Sequence, residues 1–130
     1  MNIAVFTKNW LGDVIFETPA IRVIKENFPD SRLIAITPRR CVEILEKNPF
    51  VDEIIAFGEE KDEKNIFRIF KLIRELKKRK IDRVYLFHRS ATRARFALWG
   101  GIKERIGYDT KGRSKFLTFA VPEPERPIHN

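Results

Sequence analysis

The chain has 130 residues, 43% of them hydrophobic, with 11 Phe and 2 Trp, which is about one domain with enough apolar area for a core. Its one cysteine, Cys41, rules out an internal disulfide framework and fits a reducing compartment, and no apolar run approaches the roughly 20 residues of a membrane span. The net charge of +8 is uneven: residues 1–57 hold 7 basic and 8 acidic side chains and residues 58–130 hold 19 and 10, so the second part carries a positive field suited to phosphate-rich partners.

Met1-Asn2-Ile3 lacks a basic n-region and leads straight into a strand over Ile3–Phe6, so no secretory signal is expected and a cytoplasmic location is. Lys8–Ile15 follows, placing Gly12 and Asp13 where strand hands over to helix. The helix expected over Asp13–Asn27 contains Pro19, which removes a hydrogen bond and clashes with the preceding turn. Two readings stay open: a kink there, or a short turn over Gly12–Glu17 before a helix capped by Thr18 with Pro19 first. Phe28-Pro29-Asp30 reads as a turn. A strand over Leu33–Thr37 and a helix over Cys41–Lys47 come next, with Cys41 as a small buried apolar residue.

Asn48-Pro49 reads as a turn before a strand at Glu53–Phe57. In a helix over Asn65–Lys80, Ile66, Phe67, Ile69, Phe70, Ile73 and Leu76 form one apolar face, with Arg68, Lys71, Arg74 and Lys78 largely on the other side. A strand at Arg83–Phe87, a helix at Ala91–Trp99 and a strand at Arg105–Tyr108 complete the pattern. The tail after Val121 holds three of the seven prolines and reads as a linker or extended edge. This alternation predicts an α/β, Rossmann-like open parallel sheet with helices on both faces, spanning residues 1–121, followed by a Pro-rich tail at 122–130.

In a parallel sheet the strand exits share one edge, where ligands bind in open α/β folds. Lys8, Asn9 and Asp13 follow the first strand; Thr37, Arg39 and Arg40 the second; Gly58 and Lys61 the third. His88, Arg89, Ser90 and Arg93 follow the fourth, and Asp109, Thr110, Lys111 and Arg113 the fifth. The rim is one early carboxylate amid many cations, and arginine grips phosphate or carboxylate through paired hydrogen bonds. That is a pocket for an anionic molecule. Each residue also has a plainer reading. Asp13 in a first helical turn can simply complement the helix dipole, worth about 0.3–1 kcal/mol. Ser90 can be an N-cap, Arg89 and Arg93 ordinary surface charge, and His88 has only His129 as a companion, so no metal cluster is expected.

Other motifs are missing. The first turn has a single glycine rather than G-x-G-x-x-G, and the second strand ends in Thr37-Pro38-Arg39 rather than an acid, which argues against nicotinamide or flavin. No cofactor is expected. Neither a P-loop nor a G-x-S-x-G elbow is present.

The stretches GDVIFETPAIRVIKENFP, NPFVDEIIAF, IDRVYLFHRSATRARFALWGGIKERIGYDTKGR and LTFAVPEPERPIH resemble, in order and over nearly the whole chain, the N-terminal half of bacterial ADP-heptose:lipopolysaccharide heptosyltransferases of glycosyltransferase family 9. The resemblance implies a GT-B architecture of two Rossmann-like domains across a cleft. The N-terminal domain would take the acceptor, lipopolysaccharide inner core (Kdo–lipid A or its heptosylated product). By motif match Asp13 would be the general base of an inverting displacement, with Gly12 allowing close approach of substrate. Lys8, Asn9, Lys61, Arg68, His88, Arg89, Ser90, Arg93, Lys111 and Arg113 would contact the anionic acceptor. Family members continue beyond a segment like Val121–His129 into a domain that binds ADP-heptose, so the donor residues are expected outside these 130 residues and the isolated chain is expected to be inactive. The family's acceptor sits in the cytoplasmic leaflet of the inner membrane. Peripheral contact of the cationic helix Asn65–Lys80 with anionic lipid is therefore expected.

Two other readings compete. A non-enzymatic basic module for nucleic acid draws on the interleaved Tyr85, Phe87, Arg89 and Arg93, but no RRM, KH or helix-turn-helix signature supports it. A flavodoxin-like or receiver domain needs a phosphate loop or acidic cluster after the first strand, and Lys8-Asn9-Trp10 supplies neither.

Overall fold

The computed structural model describes residues 1–108 and 113–121. Six strands form one sheet: β1 (Asn2–Phe6), β2 (Arg32–Thr37), β3 (Glu53–Ala56), β4 (Arg83–Leu86), β5 (Glu104–Tyr108) and β6 (Phe119–Val121). Their order is β3-β2-β1-β4-β5-β6, and every pairing is parallel. The helices are α1 (Leu11–Asn27), α2 (Val42–Glu46), α3 (Glu60–Lys64), α4 (Ile66–Lys78) and α5 (Ala91–Trp99). The expected α/β fold is borne out.

Strand residues alternate between two cores because side chains on a strand point alternately up and down. Ile3, Val5, Leu33 and Ala35 pack with Val14, Ile21 and Ile24 of α1 and Leu45 of α2. Ala4, Phe6, Ile34, Ile36, Val84 and Leu86 pack on the other face with Leu72 and Leu76 of α4 and Phe96 and Ala97 of α5. A sheet covered on both sides explains the near-continuous apolar runs of its central strands. Cys41 is fully buried among the α1–α2 group, as expected, and burial pushes its thiol pKa up.

Pro19 neither ends nor restarts a helix. α1 runs through it from Leu11 to Asn27. The carbonyl that the missing Pro19 N–H leaves behind, that of Ile15, accepts a 2.7 Å hydrogen bond from the Thr18 hydroxyl. Thr18 thus mends the ladder from inside the helix rather than capping a new one.

Three elements differ from the sequence reading. α3 was not expected; its start is a capping box in which Glu59 and Asp62 exchange side-chain bonds with each other's backbone N–H. β6 was also not expected: three residues at the sheet edge, paired to β5. The expected apolar face of α4 is only half right. Ile69, Leu72, Ile73 and Leu76 turn inward or are half-buried. Ile66, Phe67 and Phe70 stand 59%, 81% and 63% exposed. The inward stripe lies at helical spacing 69-72-73-76, one step round from the first-turn aromatics.

Candidate functional site

β1 lies between β2 and β4, and the chain passes from β1 to one side and later returns to β4 on the other. In open α/β sheets the crevice outside the carboxyl ends at such a reversal is where ligands bind. An open recess of about 360 Å³ lies there, lined by Lys8, Asn9, Trp10 and Asp13 from the β1–α1 connection and by His88 and Arg89 after β4. Among the described residues Asp13 is the one carboxylate lining it, beside Lys8 and Arg89. Size alone does not select this place. A hollow of about 600 Å³ beside Pro19 and Phe50 and one of about 480 Å³ beside Phe57 and Arg79 are larger. Neither meets the reversal point.

The recess floor is held from several sides. Arg40, entering from the short helical turn after β2, donates through Nε to the Asn9 carbonyl at 2.8 Å and pairs with Glu59 at 2.6 Å. Its guanidinium lies 4.9 Å from the centre of the Trp10 ring. Beneath the turn, the Thr7 and Thr37 hydroxyls meet at 2.8 Å. The Lys8 N–H points at both carboxylate oxygens of Glu17, 3.3 Å away. Asp13 and Glu17 sit four apart on α1 and so share a face. Only Asp13 reaches the recess; Glu17 lies half-buried behind the turn. Burial raises the Glu17 pKa to about 7 against the opposing Lys8 N–H bond, with a smaller push from the Asp13 charge.

His88 and Ser90 are fixed by local bonds. The Ser90 N–H donates to His88 Nδ1 at 3.1 Å, which leaves Nε2 to carry the ring hydrogen when the imidazole is neutral. The Ser90 hydroxyl accepts from the Thr92 N–H at 3.0 Å, so Ser90 is the N-cap of α5.

Two expected contact residues lie inside the protein instead. Arg93 is 1% exposed. It pairs with Glu63 of α3 at 2.5 Å, approaches Asn9 Oδ1 at 3.3 Å and packs 5.3 Å from the Phe57 ring centre. Burial lowers its pKa and the Glu63 charge opposes that. Arg113 is fully buried, donating to the carbonyls of Tyr108, His88 and Ser90. Both arginines hold the loops that carry the recess and do not face it. The reason is geometric: each comes off its element toward a cluster of backbone oxygens or a carboxylate, and a paired guanidinium tolerates burial.

Lys61 and Arg68 fall in a second recess of about 440 Å³, with Arg39, Ala56, Glu59 and Asp62. Arg68 is bound to the buried Asp62 at 2.8 Å, and Asp62 also accepts from the N–H groups of Gly58 and Glu59. Six of the expected contacts thus fall in two recesses, Lys8, Asn9, His88 and Arg89 in the first and Lys61 and Arg68 in the second. Lys111 lies outside the described residues. Above Gly12 a Cβ would meet nothing within 4 Å, so no neighbour in the chain demands glycine there. Gly58 is different: its φ of 137° and the Pro38 and Arg93 side chains 3.1–3.2 Å from a Cβ do demand it. Among the described residues no group of three or more His, Cys, Asp or Glu side chains is arranged to hold a metal.

Trp10 and Glu17 were not singled out from sequence as site residues, whereas Arg40 was placed on the strand-exit rim. The Asp13–Glu17 spacing of four was a legible signal for Glu17. For Trp10 the signal is the tertiary contact itself, the stacking of Arg40 on its ring.

No family model matches the chain. It is 26% identical over 108 residues to lipopolysaccharide heptosyltransferase 2 of Escherichia coli, 83% of this chain and 31% of that protein. It is 29% identical over 109 residues to a Haemophilus influenzae protein provisionally named a glycosyltransferase, 84% of this chain and 31% of that one. The chain thus spans about a third of the length of these relatives. Among solved structures, E. coli ADP-heptose lipopolysaccharide heptosyltransferase II superposes with a TM-score of 0.78 at 26% identity, covering 90% of this chain and 33% of that one. A glycosyltransferase family 9 member from Veillonella parvula, at 23% identity and a TM-score of 0.80 over 92% of this chain and 35% of its own, shares the fold. The expected resemblance to family 9 heptosyltransferases is borne out, and it covers the N-terminal part of those proteins.

Proposed function

We propose that this chain is the acceptor-binding N-terminal domain of a glycosyltransferase that passes heptose from ADP-heptose to the lipopolysaccharide inner core in the cytoplasm. The observation that carries the reading is Asp13, the recess carboxylate at the sheet's reversal point, flanked by Lys8 and Arg89. In this reading an acceptor hydroxyl sits against Asp13. Its oxygen forms a bond to the anomeric carbon while the bond from that carbon to the ADP phosphate oxygen breaks, with inversion. The hydroxyl proton passes to Asp13, and ADP leaves with the bonding electrons.

Lys8 and Arg89 neutralise the acceptor's carboxylates or phosphates, and the open space over Gly12 lets the sugar approach the backbone. In this reading the ADP-heptose contacts come from residues outside these 130, so the isolated chain does not turn over. Binding is testable on the chain alone. Calorimetric titration with a deacylated, Kdo-containing inner-core oligosaccharide should give saturable heat that Arg89→Ala weakens about tenfold, the loss of one charged contact of about 1.5 kcal/mol. Unchanged binding by Arg89→Ala, or tighter binding to a single-stranded oligonucleotide of equal charge, would count against the assignment.

A further inference from the structure

The outer edge of β3 is open. β3 ends the sheet and pairs on one side only, with β2. In a parallel ladder alternate residues bond the same neighbour. The Asp52 N–H donates to the Leu33 carbonyl of β2, so Glu53 and Ile55 turn their N–H and C=O groups to the free side. β3 reads Glu53-Ile54-Ile55-Ala56 and has no lysine or proline to blunt that edge.

A recess of about 480 Å³ follows the edge and meets Ile54, Ile55, Ala56 and Phe57 in succession. Successive side chains of a strand point to opposite faces, so a hollow that meets four in a row runs along the backbone edge. Its other wall is one stripe of α4, with the buried Leu72 at its centre. Four cations line the recess, Arg39, Arg68, Lys71 and Arg79, against two carboxylates, Asp62 and Glu75. Both carboxylates are engaged, Asp62 by Arg68 and Glu75 by Arg79. Arg39 and Lys71 stand exposed beside them.

We infer that an extended acidic segment of a partner protein docks here, adding to β3 as a further strand and setting its carboxylates against Arg39 and Lys71. In strand addition the main-chain bonds give affinity, and contacts for alternate side chains give specificity. Leu72 and Phe57 offer the apolar contact and the two free cations the polar one. A second copy of this chain would bring the same cations against themselves. A nucleic acid has no row of amides to match Glu53 and Ile55. The inference does not depend on the transferase reading, since strand addition needs neither donor nor acceptor.

The probe is a short, capped, fluorescent peptide of alternating valine and glutamate, titrated with the 130-residue chain by anisotropy. Binding should saturate. It should weaken about tenfold or more when lysine replaces glutamate in the peptide, and likewise in the double variant Arg39→Gln/Lys71→Gln. Both side chains are exposed, so far-UV circular dichroism should be unchanged. Two further peptides are N-methylated, one at every valine and one at every glutamate. One of them loses the donors that face β3 and the other keeps them, so only one should lose binding. In the complex the amides of Glu53 and Ile55 should exchange with deuterium about tenfold more slowly or less. Absence of saturable binding, equal binding of the two methylated peptides, or unchanged exchange at Ile55 overturns the inference. Equal binding of the methylated peptides together with capture of a single-stranded oligonucleotide would assign the recess to polyanions instead.

Discussion

Replacing Glu17 by glutamine should make the protein more stable at pH 8 and change it far less at pH 5. Burial behind the β1–α1 turn raises the Glu17 pKa from its ordinary 4.5 to about 7. The folded state therefore holds this proton more tightly than the unfolded chain. The stability that this contributes is fully present below about pH 4.5 and is lost as the pH rises through 7. At about 1.4 kcal/mol per unit, the ceiling is about 3 kcal/mol; partial exposure of the carboxyl reduces it to about 1–2 kcal/mol. Glutamine keeps a carbonyl to accept the Lys8 N–H and carries no charge to bury. Urea unfolding of wild type and Glu17→Gln at both pH values reads the difference directly. Because every other titrating group is common to both proteins, the change in ΔΔG between pH 5 and 8 isolates Glu17. The same ΔΔG at both pH values would refute the reasoning.

Arg93→Met should cost about 2–3 kcal/mol in urea unfolding, because it strands Glu63 and empties the contact with Phe57; a cost below 0.5 kcal/mol would return Arg93 to the surface role read from sequence. Gly58→Ala should cost about 1–3 kcal/mol, the strain of its left-handed backbone plus the crowded Pro38, measured by thermal melting. Gly12→Ala should leave stability unchanged or raise it by about 0.5 kcal/mol, since the helix gains propensity and nothing clashes. The same change should weaken inner-core oligosaccharide binding; equal binding would mean that the space over Gly12 is not used.

The central strands were legible because a sheet buried on both faces writes itself as short β-branched runs, as in Ile3–Phe6 and Leu33–Thr37. β6 escaped because three residues at an edge, two of them exposed, carry no such run. α3 escaped because its cap uses Glu59 and Asp62 rather than Ser or Thr. At the site, the strand-exit argument brought Lys8, Asn9, Asp13, His88 and Arg89 to one recess. It misplaced Arg93 and Arg113 because residue type says arginine is outside, while the carbonyls and the carboxylate that receive these two are set by tertiary packing. Pro19 could not be resolved from spacing alone, since the Thr18 hydroxyl that compensates it acts only once the helix exists.

The role of Asp13 is tested most directly by heptose transfer in a longer protein that joins this domain to a donor-binding domain. With ADP-heptose and an inner-core acceptor, Asp13→Asn should lower kcat roughly 10²–10⁴-fold, the usual worth of a general base. The acceptor KM and the melting temperature should stay near the wild-type values. An Asp13→Asn enzyme that retains wild-type kcat would contradict the account and move the base elsewhere in the cleft.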